Sequence, residues 1–243
     1  MNVILFDKTC VQSCQLTKQN HVIINDTAVI NHIKSVLKAG IGDVLKVGQI
    51  GGYLGVAQIA QMTADELVLS HVRLDTPPPP KLNLTLILAL PRPKVLRRLV
   101  MDMTAMGVNR IILINSYRTD KSYWGSPLLN KIDEYIIEGL QQGIDTVPPE
   151  IVMAKRFKPF VQDELPAIIG DTKALVAHPY AETSFGMAVQ TGLPSVLIVG
   201  AEGGFIPYEI ELLQSVGVQA VSLGSRILRT ESAVNALLGR WLD

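Results

Sequence analysis

The chain has 243 residues, with 48% hydrophobic and 18% charged residues and a formal net charge of +0. That balance excludes a disordered or low-complexity chain, and no apolar run approaches the ~20 residues that a membrane-spanning helix needs. The N-terminus has no basic segment leading into an apolar stretch, and the only cysteines, Cys10 and Cys14, read as reduced thiols. The expected compartment is therefore the cytoplasm.

The first elements are short and strand-like. Runs at 2–6, 43–49, 53–61 and 66–74 are apolar and partly alternating, and Gly48, Gly51, Gly52 and Gly55 suit tight turns between them in a small barrel. One helix interrupts the series. Asp26 or Thr27 caps it, Val29, Ile30, Ile33, Val36 and Leu37 give it an apolar face, and Gly40 ends it. Four prolines at 77–80 then favour an extended, semi-rigid spacer. This places one domain at 1–76, a linker at 77–81 and a second domain at 82–243.

Beyond the spacer the texture becomes strand, helix, strand, helix. Strands are expected at 82–90, 110–115, 150–153, 174–178, 195–199 and 219–223. Helices are expected at 93–106, at 127–142 with Ser126 as cap, at 207–216, and from near Thr230 to Trp241. Continuous apolar strands alternating with helices mean an α/β domain, with a parallel sheet covered on both faces.

Charge is distributed unevenly. Residues 82–131 carry 8 basic and 2 acidic side chains, whereas 132–185 carry 4 and 9. A neutral total is not the usual signature of a nucleic-acid binder. The basic segment either neutralises phosphates or forms a solvated helix face, and charge alone leaves both open.

Two loops carry the chemical signal. In VLIVGAEGGF (196–205), a buried strand enters a turn with three glycines in five residues, which lets backbone N–H groups approach a ligand at the carboxyl edge of the sheet. It is neither GxGxxG nor GxxxxGK[ST], so the dinucleotide and P-loop mechanisms do not transfer, and a plain tight turn is the bland alternative. In SLGSRILRTESA (222–233), Arg226 and Arg229 gather with Glu231 at a helix start. The helix dipole repels cations there, so an anionic ligand or a partner carboxylate is needed to compensate, and Arg229 is the stronger functional candidate.

LIVGAEGGFIPYEIELL followed by VSLGSRILRTESA resembles, in order and spacing, the paired C-terminal motifs of RsmE-type 16S ribosomal RNA uridine-N3 methyltransferases of the SPOUT superfamily. More weakly, the resemblance covers the whole chain. It departs at Ala201, where a proline is usual, and at Ile206, where a Ser or Thr usually caps the next helix; a frayed helix start is therefore expected. Asn31-His32 stands where Arg-His is common. The resemblance implies a PUA-like β-barrel followed by a SPOUT-type parallel sheet with a trefoil knot, working as a homodimer with S-adenosyl-L-methionine as cofactor and no metal.

By position, the cofactor would be held by Ala177, His178 and Pro179, by Val199, Gly200, Ala201, Glu202 and Gly203, and by Ser222, Leu223, Gly224, Ile227 and Leu228. Deprotonating the uracil N3–H builds negative charge on the imide. Arg229 is expected to stabilise that charge, with Glu231 or water taking the proton. Arg92, Lys94, Arg97, Arg98, Lys121 and Arg226 are the candidates for contact with ribosomal RNA, or with the small ribosomal subunit that contains it. Tyr123 and Trp124 suit either a base-stacking patch or an anchor for the following helix. Two rival readings are a non-catalytic RNA- or ribosome-binding protein and a nucleotide-dependent enzyme such as a dehydrogenase. The paired motifs oppose the first, and the missing ribose-binding acid opposes the second.

Overall fold

The computed structural model describes residues 2–13 and 20–242; Cys14 lies outside them. The chain folds as two compact units, residues 1–80 with 137–148 and residues 81–136 with 149–243. The boundary next to Pro80 falls at the proline run. Residues 137–148, which the sequence places in the second domain, cluster with the first unit. Asn2 N–H donates to Gln141 O at 3.0 Å and Gly51 N–H to Thr146 O at 2.7 Å. The buried Asp145 carboxylate turns this segment by accepting from the N–H groups of Thr146 and Val147.

The first unit is a six-stranded curled sheet, mostly antiparallel, in the order β1-β4-β5-β6-β3-β2. Its strands are β1 (Ile4–Phe6), β2 (Val11–Ser13), β3 (Asn20–Ile24), β4 (Val44–Gln49), β5 (Leu54–Met62) and β6 (Leu67–Thr76). Three register shifts between β5 and β6 supply the curl. Inside it pack Ile4, Phe6, Val22, Leu45, Val47, Ile59, Leu67 and Leu69, with Val29 and Ile30 of α1 (Thr27–His32) and Ile33 just after it against them. Asp26 caps α1, accepting from Ala28 N–H at 2.8 Å.

Three local expectations fail here. A π-turn (Ile33–Leu37) continues α1 and ends at Lys38, which takes the left-handed conformation in place of Gly40. The wider turn breaks the 3.6-residue period, so Val36 and Leu37 are exposed. Gly48 and Gly55 lie inside β4 and β5 instead of in turns. A Cβ on Gly55 would fall 1.8 Å from the Arg73 carbonyl oxygen, so only glycine fits where β6 crosses so closely. Strands β2 and β3 were not foreseen, because their polar residues mask the alternation.

The second unit contains a six-stranded parallel sheet in the order β12-β10-β11-β7-β8-β9. The strands are β7 (Leu82–Ala89), β8 (Val108–Ile114), β9 (Glu150–Ala154), β10 (Ala174–Ala177), β11 (Val196–Val199) and β12 (Gln219–Val221). The helices after β7 are α2 (Pro93–Ala105), α3 (Ile132–Gly143), which belongs to the first unit from residue 137 on, α4 (Phe157–Pro159), α5 (Leu165–Ile169), α6 (Phe185–Ala188), α7 (Pro207–Ser215) and α8 (Thr230–Leu238). The apolar sides of α4, α5 and α7 bury strand residues such as Ile87, Ile112, Val176 and Ile198.

The helix expected at 127–142 begins as a 3-10 turn (Pro127–Lys131), capped by Ser126, and becomes α-helical only at Ile132. The frayed start expected at α7 does not occur either. Pro207 occupies the first turn, and the Glu209 carboxylate reaches back to Ile206 N–H at 2.9 Å, supplying half of a capping box without a hydroxyl partner. Among the described residues, no helix is long and apolar enough to cross a membrane.

Candidate functional site

In a parallel sheet all carboxyl ends lie on one edge, and ligands collect where the connections diverge. Here β7 connects through α2 to β8 on one side, while its neighbour β11 connects through α7 to β12 on the other. The loops after β7, β8, β10, β11 and β12 meet at that edge around a cavity of about 720 Å³. It is lined by Arg92, Val95, Arg98 and Arg118, by residues 177–180 and 199–205, and by Leu223, residues 226–231 and Ala233.

The glycine-rich loop is held from several sides. Glu202 accepts from Arg92 N–H at 3.1 Å, so a side chain expected to face the cofactor also ties this loop to the one after β7. Arg118 donates to Gly203 O at 2.6 Å. A Cβ on Gly203 would come 2.9 Å from the Arg118 Cβ, so this glycine makes room for the arginine stem. Gly204 has φ +64, and its N–H donates to Ala201 O at 2.9 Å, closing the turn. Ala201 and Phe205 are buried beneath. The buried Glu209 joins the two loops from behind: one oxygen takes Ile206 N–H and the other Tyr117 N–H at 2.7 Å, beside Arg118.

The opposite wall is less restrained. Ser222 belongs to the frame and does not line the cavity: it is buried, accepts from Phe185 N–H at 2.8 Å and donates to Thr183 O at 2.9 Å. Gly224, at φ +104, turns the chain without lining the cavity. Residues 224–228 are exposed and make no hydrogen bond among the described residues. Arg229 is the N-cap of α8, with extended backbone and no side-chain cap bond. Thr230 is buried, and its hydroxyl lies 3.5 Å from Gly200 O. Glu231 opens the first turn of α8.

His178 N–H donates to Val221 O at 2.8 Å, and its ring meets Tyr180 edge-on at 5.6 Å between centroids. Burial pushes its pKa below the ordinary imidazole value, so the ring is neutral at pH 7. Five arginines face two glutamates around the cavity, giving it a positive field. A wall of small residues and open main chain, a neutral imidazole and an arginine rim suit a flat, polar organic ligand that meets an anionic polymer. Among the described residues, no cluster of His, Cys, Asp or Glu could hold a metal.

The structure thus brings Ala177, His178, Pro179, Val199, Gly200, Ala201, Glu202, Gly203, Leu223, Ile227, Leu228, Arg229 and Glu231 to one cavity, with Arg92, Arg98 and Arg226 beside them. It leaves out Lys94, Arg97 and Lys121. Arg97 lies with its guanidinium 5.5 Å from the Tyr135 ring centroid, Lys94 is exposed in the first turn of α2, and Lys121 begins a 3-10 turn (Lys121–Gly125). In that turn Trp124 Nε1 donates to Asn115 Oδ1 at 2.9 Å, an anchoring role. Arg118, Tyr180 and Phe205 were missed. Arg118 belongs to no motif, and only its position just after β8 could have pointed to it.

The RNA methyltransferase domain model matches residues 78–242. A ribosomal RNA small subunit methyltransferase E from Treponema pallidum is 31% identical over 242 residues, covering 97% of this chain and 88% of that protein. Its counterpart from Rickettsia conorii is 28% identical over 211 residues, covering 84% and 82%. Among solved structures, ribosomal RNA small subunit methyltransferase E from Neisseria gonorrhoeae, bound to S-adenosyl methionine, superposes with a TM-score of 0.75 at 19% identity, over 99% of this chain and 96% of that one. A Legionella pneumophila methyltransferase in complex with the same cofactor gives 0.74 at 20%, over 99% and 96%. At these identities the two structures establish a shared fold. With the domain model spanning most of the chain and the Treponema relative aligned along nearly all of it, this chain belongs to the ribosomal RNA small subunit methyltransferase E family of RNA methyltransferases.

Proposed function

We propose that the protein methylates N3 of a uridine in 16S ribosomal RNA, using S-adenosyl-L-methionine held in the cavity at the carboxyl edge of the parallel sheet. The observation that carries this reading is the convergence of residues 177–180, 199–205, 223 and 226–229, from three separate strand ends, on one cavity rimmed by arginines. Family membership and the cofactor named for the Neisseria and Legionella structures support the choice of donor. The first unit acts as a PUA-like RNA-binding barrel, the second as a SPOUT domain whose chain is knotted around the cofactor loops, and the working form is a homodimer.

When bound, the cofactor supplies a methyl group on a sulfonium. The protein supplies the rest. Gly200, Ala201 and Leu223 present main chain to the ligand, and Ile227 and Leu228 exclude water. Neutral His178 places no cation beside the sulfonium. Arg229 faces the imide as N3 loses its proton; an electrostatic contact of this kind is worth roughly 3 kcal/mol in the transition state. Glu231, two residues on, or a water beside it accepts the proton. Holding methyl and nucleophile in line contributes several more kcal/mol.

Two measurements test the reading. Calorimetry should show binding of S-adenosylhomocysteine and none of a nicotinamide dinucleotide. Mass spectrometry of ribosomal RNA from a deletion strain should show one uridine lacking a methyl, restored when purified protein and cofactor are added to its small subunits. An RNA with unchanged methylation would overturn the reading in favour of a non-catalytic binder.

A further inference from the structure

Residues 132–185 carry nine acidic and four basic side chains, so charge counting makes this the least promising region for an anionic partner. Folding reverses that. Three of the four cations, Lys155, Arg156 and Lys158, fall in the four residues after β9, on the same carboxyl edge as the cavity. All three are exposed, as is Lys121 in the adjoining connection after β8.

The two connections are fastened together. Asn115 N–H donates to Ala154 O at 3.2 Å, the Asn115 side chain holds Trp124 Nε1 at 2.9 Å, and Lys155 Nζ stands 5.8 Å from the Trp124 ring centroid. The nearest acid in sequence, Asp120, is occupied by Ser122 N–H at 2.9 Å. Among the described residues, none of the four cations has an ion-pair partner. Solvated, unneutralised cations carried on two connections that are tied to each other suit phosphates. Lys155 stands over one face of the Trp124 ring, so that face presents charge to the surface.

We infer that Lys121, Lys155, Arg156 and Lys158 form a track that grips the phosphodiester backbone of the RNA strand running from the cavity toward β9. The inference rests on the proposed identity of the cavity as the methyl-transfer site. From β11 to β9 is three strand spacings, roughly 14 Å at ~4.8 Å each, which about four stacked nucleotides span at ~3.4 Å each. The track therefore engages RNA a few nucleotides from the reacting base and adds affinity without reading sequence.

The test is the full-length triple variant Lys155→Ala, Arg156→Ala, Lys158→Ala, titrated with fluorescent oligouridylates of 4 and 16 nucleotides at several salt concentrations. Losing three phosphate contacts should reduce the slope of log K against log salt by about 2, and weaken the 16-mer about tenfold or more at 0.15 M salt. The gain in affinity from 4 to 16 nucleotides should shrink in the variant. On methyl-deficient small subunits KM should rise with kcat unchanged, and S-adenosylhomocysteine affinity should stay the same, showing the site is folded.

An unchanged salt slope and 16-mer affinity would overturn the track. Weaker binding to small subunits with normal binding to oligouridylate would also overturn it, and would point to a ribosomal protein as the partner. Failure of the native protein to methylate would instead sink the functional reading, and the salt slopes would still report on the track.

Discussion

The two walls of the cavity are built differently. The glycine-rich loop, residues 200–206, is fastened by Glu202 to Arg92 N–H, by Arg118 to Gly203 O and by Glu209 to Ile206 N–H, over the buried Ala201 and Phe205. The loop after β12 has its frame in Ser222 and Thr230, while residues 224–229 between them are exposed. One wall is organised before any ligand arrives, and the other has its ends fixed and its middle left for the ligand to order. A preorganised wall lowers the entropic cost of binding, whereas an open one admits a large substrate.

The sharpest test of this division concerns the open wall. Arg229→Ala should lower kcat by about 10²–10³, a loss of roughly 3–4 kcal/mol, while cofactor affinity changes little. Single-turnover methylation and calorimetry separate the two, and equal losses in both would make Arg229 a binding residue instead.

The rigid wall should respond in stability. Glu209→Ala leaves the N–H groups of Ile206 and Tyr117 without their acceptor, at about 1–3 kcal/mol each where they are buried. Urea denaturation should show a loss of roughly 2–4 kcal/mol. Arg118 should lose its fixed position as the residues beside Tyr117 loosen.

Smaller backbone effects should also divide by wall. At Gly203 the φ is ordinary and the new Cβ meets the flexible Arg118 stem at 2.9 Å, so Gly203→Ala should cost about 1 kcal/mol, mostly by moving that arginine. At Gly224 nothing lies within 4 Å, but φ is +104, so Gly224→Ala strains the backbone itself by about 1–3 kcal/mol. Crowding limits the first site and conformation limits the second, and thermal unfolding of the two variants checks the ordering.

The mildest effect is on pH dependence. His178 has its pKa lowered by burial, so it is neutral above about pH 6.5 and gains charge only as the pH falls below that ordinary imidazole value. Its charged form is disfavoured in the folded protein, so its linkage contribution is absent at neutral pH and lowers stability as pH drops through that range. In the proposed binding mode, charging it also sets a cation beside the sulfonium. S-adenosylmethionine affinity should therefore fall faster on acidification than that of S-adenosylhomocysteine, which carries no sulfonium. Parallel pH profiles for the two would remove His178 from the cofactor's neighbourhood.

Much of this site was legible in the sequence, because its main parts are local. A strand that runs into AEGG and another that runs into SLGSR announce their positions by apolar runs and by residues tolerant of unusual φ, and both signals lie within ten residues of the cavity residues they place. Alternating apolar strands and helices fixed the parallel sheet, and with it the edge on which loops could meet. The expectations that failed all depended on distant partners. Gly55 looked like a turn residue until the Arg73 carbonyl came to rest against it. Val36 and Leu37 looked buried until a π-turn rotated them outward. Residues 137–148 read as part of the second domain until Gly51 and Thr146 paired in the first unit.

Composition and periodicity alone determined the two textures of the chain, the parallel sheet and two of the loops that line the cavity, because each depends on the conformational preferences of neighbouring residues. Tertiary structure decided which long-range groups complete the site. Arg118 reaches Gly203 across 85 positions, Glu209 holds Tyr117 across 92, and three cations of an acidic segment come to the same carboxyl edge of the sheet as the cavity. Strand order sets those meetings. It follows from how apolar faces pack in three dimensions, and no local pattern of residues encodes it.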